Sequence, residues 1–148
     1  MKSHYAMLGL MGALSFVAMY VLMYAMVDRF DNVYASYNQA YMAALMTAPM
    51  VVIEVAVMAG MYPNKRANLA IIGASVIALV ACWFAIRQQV AITDVQFVRS
   101  MVPHHAGAIL MCEKASLKDD ELIKLCKSIV AGQQLEIDQM KAKLAQLR

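Results

Sequence analysis

The spacing of apolar positions divides the chain into two regimes. Residues 5–27 and 68–86 carry no charge, and residues 41–62 are interrupted only by Glu54. A run of about 20 apolar residues reaches across a hydrocarbon core of about 30 Å, so these stretches predict three transmembrane helices. Beyond residue 92 the pattern becomes amphipathic, with the period of about 3.6 that places one stripe of a helix on a core. Thr93-Asp94-Val95-Gln96 reads as a capping box opening a helix over 94–117. Pro103 lies inside that helix, where a missing backbone donor kinks or splits it. Lys118-Asp119-Asp120-Glu121 marks a turn, and its acidic residues suit the first turn of a second helix over 120–146. That helix carries the stripe Leu122, Leu125, Ile129, Met140, Leu144 and Leu147, broken on the same face by Gln133 and Glu136. The expected fold is all-α: a three-span domain over 1–92 and a long-helix hairpin over 93–148.

Composition agrees with the pattern. Of 148 residues 62% are hydrophobic, and the mean hydropathy is +0.58. Eight charged residues lie in 1–93 and fifteen in 94–148. The net charge of +3 is small and scattered, so no nucleic-acid surface is expected. The first span is too long for the core of a signal peptide, and no small-x-small cleavage site follows it. Lys2 precedes span one, and Lys65 with Arg66 sits between spans two and three. By the positive-inside rule these lie in the cytoplasm. Three spans then carry the hairpin outside, which in a bacterium is the periplasm.

Methionine is concentrated in the membrane part, with eleven of fourteen in the first 61 residues. Met42, Met46, Met50, Glu54 and Met58 recur every four residues along span two, and Met7, Met11, Met19 and Met23 share that spacing in span one. Adaptable packing between helices explains such a stripe. So does a thioether ladder passing Cu(I), with Glu54 as acceptor or proton carrier, since an ionisable residue inside a span is a functional candidate. Pro49 loosens the helix one turn before Glu54. Span three instead carries Ala70, Gly73, Ala74 and Ala78, a ridge that allows close helix approach.

The candidate chemistry of the hairpin lies between Phe97 and Cys112. Met101, His105, Ala108 and Cys112 share one helical face, with His104 and Met111 on its shoulder. Imidazole, thioether and thiolate are ligands that copper and zinc accept. A metal site formed by Met101, His104, His105, Met111, Cys112 and Met140 competes with the reading in which each residue packs or satisfies a neighbour. A turn near residue 118 sets His104 near Gln133, Met101 near Glu136 and Cys112 near Cys126. Gln133 or Glu136 can then hold an imidazole N–H and fix its tautomer. Cys112 and Cys126 form a disulfide in an oxidising compartment or supply a thiolate when reduced. Cys82, inside a span, is expected to pack. Two helices cannot bury a two-sided core alone, so a homodimer or higher oligomer is expected to complete a four-helix bundle.

Several of these stretches resemble a bacterial family known only as a domain of unknown function, the three-hundred-and-fifth of its series. The resemblance is carried by the Met101-Val102-Pro103-His104-His105 element with Asp94, Phe97 and Arg99 before it. Ala108-Ile109, Glu113-Lys114-Ala115, Gln133, Glu136-Ile137 and Met140-Lys141 extend it, as does the segment from Gly60 to Ile71. It implies a ferritin-like helical module and, in some members, periplasmic copper binding linked to copper tolerance. Met101, His104 and His105 are the positions that carry over, with Met140 behind them. Two departures stand out: Met111-Cys112 replaces small polar residues of many membrane-bound relatives, and Glu54 stands where they keep an apolar residue, usually Met.

The expected function is a protein anchored in the bacterial cytoplasmic membrane that binds, buffers or delivers copper, as Cu(I) or Cu(II), on the periplasmic face, with zinc as the other candidate. Its partners are membrane lipid, the metal ion and further copies of itself. One alternative is a copper conduit along the methionine stripes; another is a structural helical assembly with packed histidines. No enzyme is expected: no glutamate stands three residues before either histidine of the pair, as a di-iron bundle requires. No nucleophile-elbow, P-loop or zinc-protease motif occurs.

Overall fold

The computed structural model describes residues 2–147, with side chains from His4 onward. The Lys2 side chain, used above for orientation, and Arg148, the last residue of the second expected domain, lie outside the described residues. The described residues form five α-helices: α1 (Lys2–Leu22), α2 (Tyr37–Val57), α3 (Lys65–Arg87), α4 (Asp94–Lys114) and α5 (Asp120–Gln146). Short 3₁₀ turns occupy Met23–Met26, Phe30–Asn32 and Ala59–Met61, and no strand occurs among the described residues. Three segments are long and apolar enough to cross a membrane: His4–Met26, Tyr37–Val57 and Lys65–Arg87.

The second span is shifted relative to the sequence pattern. It starts at Tyr37 because the uncharged residues Tyr37–Ala40 are tolerated in a helix, and it stops at Val57. The chain then tightens into the Ala59–Met61 turn before Pro63. Pro49 and Pro103 each lie inside one continuous helix, so α4 is not split. α4 ends at Lys114 rather than 117, with Ala115 in an extended conformation.

The chain divides into two compact units. The first holds residues up to Met23 together with Asn38–Val90. Leu8, Val55 and Tyr62 are its buried cluster, with Tyr5, Met11, Val51, Ile71 and Ile72 around them. A Cβ at Gly12 would lie 3.6 Å from the Val51 side chain, so α1 and α2 approach closely there. The phenol of Tyr5 donates to Asn68 Oδ1 at 2.8 Å, and Asn68 Nδ2 donates to the Tyr62 carbonyl at 2.8 Å. Asn64 caps α3 by accepting from the backbone N–H groups of Arg66 and Ala67.

The second unit joins Tyr24–Tyr37 to the chain from Ala91 onward. Val98, Val102, Ala106 and Ile109 of α4 meet Ile137 and Leu144 of α5, and Val27 and Tyr34 pack on them. The connection between α1 and α2 thus adds apolar cover to the hairpin from its own chain, although composition had grouped it with the spans. Its fit depends on Gly107, where an added Cβ would lie 3.4 Å from the Met26 carbonyl oxygen. The Tyr24 phenol donates to the Tyr34 carbonyl at 2.8 Å, tying the connection across its base. Thr93 accepts from the Gln96 N–H as an N-cap should. The reciprocal half of the capping box is not made: Gln96 Oε1 instead accepts from Tyr37 N at 2.9 Å.

Candidate metal site on the hairpin

His105 is placed by α4, which turns it inward one turn after Met101 and leaves it 9% exposed beside Val102 and Ala106. Its Nδ1 lies 2.9 Å from the Met101 carbonyl oxygen, and its Nε2 lies 2.7 Å from Glu136 Oε2. A carbonyl only accepts, so Nδ1 carries a proton and donates. That contact fixes the tautomer in which Nε2 is the nitrogen with a lone pair whenever the ring is neutral. Against Glu136, Nε2 shares a proton with the carboxylate. The Glu136 side chain is 56% exposed, so it can turn toward water and uncover Nε2.

His104 follows one position away on the exposed shoulder of α4. The two ring centroids are 6.1 Å apart and the planes are inclined at 63°. Two imidazoles held by one ion at about 2.0–2.1 Å have centroids roughly 5–6.4 Å apart, depending on the angle at the metal. The centroid separation falls in that range, while the nitrogens of the inner ring are directed at the Met101 carbonyl and the Glu136 carboxylate. Among the described residues no group of three or more His, Cys, Asp and Glu side chains is placed so that it could hold a metal ion. One chain offers two imidazoles and an adjoining glutamate.

The other expected ligands differ in burial and bonding. Met101 is half-buried and meets His105 through its backbone oxygen. Met140 is half-buried against the hairpin core, whereas Met111 is 55% exposed. Gln133 is half-buried. Cys112 is bonded to Cys126, with their Cα atoms 5.2 Å apart. A sulfur in a disulfide has no thiolate charge to give a metal, so in this form Cys112 leaves the ligand set. The expected level of Cys112 with Cys126 is found, and Glu136 holds an imidazole as one of the two expected candidates, reaching His105 one turn beyond Met101.

The methionine stripe of span two does not form its buried face. Ala43, Thr47, Ala48 and Val55 are buried, Met46 and Met50 are half-buried beside them, and Met42 is exposed. Met58 lies beyond the end of α2. Glu54 accepts a hydrogen bond from the Tyr62 phenol at 3.3 Å. Burial, then the Glu54 carboxylate, raises the Tyr62 phenol above its ordinary value of 10.0, keeping it a donor. Met11 sulfur lies 3.5 Å from Ser15 Oγ, and Met19 sulfur 3.9 Å from Thr47 Oγ1.

Residues 23–144 match a family described as "Domain of unknown function (DUF305)". Uncharacterized protein L153 of Acanthamoeba polyphaga mimivirus is 32% identical over 138 residues, covering 91% of this chain and 89% of that protein. No solved structure matches. The family match takes in the connection after α1 and all of α2, α3 and α4, and reaches into the last turns of α5; the chain belongs to the DUF305 family.

Proposed function

We propose that this is a membrane-anchored protein that binds copper on an extracytoplasmic helical hairpin. The observation that carries the reading is the pair of imidazoles 6.1 Å apart with Glu136 at the inner ring. His104 holds the ion through its exposed ring and His105 through Nε2 once Glu136 turns aside, Glu136 serves as an anionic neighbour or co-ligand, and Met101 and Met140 are the thioether candidates. Imidazole suits copper in either oxidation state, and thioether shifts preference toward Cu(I); zinc is the competing ion. The Cys112–Cys126 disulfide supports an oxidising compartment. Lys65 and Arg66, at the start of α3, support a cytoplasmic α2–α3 connection. Three crossings then leave α4 and α5 on the opposite side. In a bacterial host that side is the periplasm, and the protein buffers or delivers copper there.

A structural reading is favoured by one observation: both nitrogens of His105 are engaged within the chain. In that reading the His–Glu pair fastens α4 to α5 and binds no ion. Copper titration of the detergent-purified, disulfide-bonded protein separates the two. Stoichiometric copper in the wild type, lost in a His104→Ala/His105→Ala double variant that keeps its helicity, is the expected result. Equal copper in both proteins, or none in either at micromolar metal, sinks the copper reading.

A further inference from the structure

The structure assigns a second chemistry to the far end of the hairpin. We infer that Cys112 and Cys126 form a redox-gated Cu(I) site, closed as the disulfide and opened as a two-thiolate clip. This site is separate from the histidine pair and stands whether or not that pair binds metal.

Three features point to it. First, the buried core of the hairpin stops at Ile109 on α4 and begins at Ile137 on α5. The cysteines lie beyond it, near the connection, where Met111, Leu122 and Leu125 are all exposed. Among the described residues no buried cluster lies at that end, where only half-buried Val130 extends the core toward the cysteines, so the disulfide is the covalent cross-link there. Second, Cys112 and Cys126 are each half-buried rather than enclosed, so a thiol can attack the bond. Third, the two α-carbons are 5.2 Å apart on packed helices. At a thiolate–metal length of about 2.3 Å, one ion spreads two sulfurs to at most roughly 4.6 Å. Side-chain rotation across that Cα separation reaches this spread with the helices in place. Thiolates are soft donors that select Cu(I).

The balance is simple. Two equivalents of a small thiol reduce the bond, becoming one disulfide themselves and leaving Cys112 and Cys126 as free thiols. Cu(I) then displaces both thiol protons and is held by two thiolates, with no change in its own oxidation state. Oxidation of the empty pair by a disulfide-forming partner closes the clip.

The test uses the full-length chain in detergent with His104→Ala, His105→Ala and Cys82→Ser, which removes the histidine pair and the free cysteine. Cu(I) is titrated against a chromophoric Cu(I) chelator before and after reduction with a phosphine. The reduced form is expected to take one Cu(I) per chain and the oxidised form none. Adding Cys112→Ser or Cys126→Ser should abolish the gain. A second measurement reads the same site without substitutions: in the reduced wild type, one equivalent of Cu(I) should protect Cys112 and Cys126, but not Cys82, from alkylation. Equal Cu(I) in both redox states, or no protection of the pair, overturns the proposal. A wild type that loses its copper with the histidines, while the clip still loads on reduction, keeps the two sites distinct.

Discussion

At the scale of single residues, the decisive contact is the one around the His105 ring. The Met101 carbonyl holds the Nδ1 proton, so the opposite nitrogen is the one offered to a ligand. Glu136 stands at that nitrogen. Replacing Glu136 with Gln keeps the size of the side chain and removes its charge. Copper affinity should fall by about 10–100-fold, read by chelator competition, while helicity is unchanged; an affinity equal to wild type would remove Glu136 from the site. The histidine pair was legible in the sequence because its residue types coincide on an apolar helix. Its partner was legible only as a choice between Gln133 and Glu136. A count of backbone levels sets Glu136 beside Met101, and it does not show that the long glutamate side chain reaches His105 one turn along.

At the scale of elements, α4 and α5 are held by a narrow core and one covalent bond. Val102 and Ile137 are fully buried. Ile137→Ala should cost about 2–5 kcal/mol, as expected when a large aliphatic side chain leaves a cavity. The Cys112–Cys126 bond closes a loop with a sequence separation of 14. Its loss in a Cys112→Ser/Cys126→Ser variant should cost about 3 kcal/mol. Denaturant titration followed by a probe on the hairpin checks both; a change below about 0.5 kcal/mol in either variant would contradict the packing described. Between α3 and α4, Gln89 and Ala91 have φ of 50° and 59°. That left-handed conformation costs a non-glycine residue roughly 1–2 kcal/mol. Ala91→Gly should therefore leave stability unchanged or raise it. The three apolar spans were legible within a few residues at most ends. The second was misplaced because hydropathy continues through Gly60 to Tyr62 while the helix does not.

At the scale of the whole molecule, the unexpected feature is the connection between the first two helices. Tyr24–Tyr37 belongs with the hairpin unit. Its contribution was hidden because Asp28, Arg29 and Asp31 interrupt the apolar positions between Val27 and Tyr34 and no α-helix forms there, and Gly107 signals close approach only once a neighbour is known. A Gly107→Leu substitution should push the connection off α4, exposing Tyr24–Tyr37 to proteolysis; resistance equal to wild type would contradict that close approach. The methionines of α2 are a different matter. Met46→Leu/Met50→Leu should leave the copper stoichiometry of the purified protein unchanged if, as proposed, the ion is held on the hairpin; a lost equivalent would shift the binding to the membrane stripe.

The most direct measurement is X-ray absorption at the copper edge on the disulfide-bonded, full-length protein loaded with one equivalent of copper. Scattering from two imidazoles, reduced to background in the His104→Ala/His105→Ala variant, is the predicted result. A sulfur-only first shell, or an imidazole signal that persists in the variant, would contradict copper binding at His104 and His105.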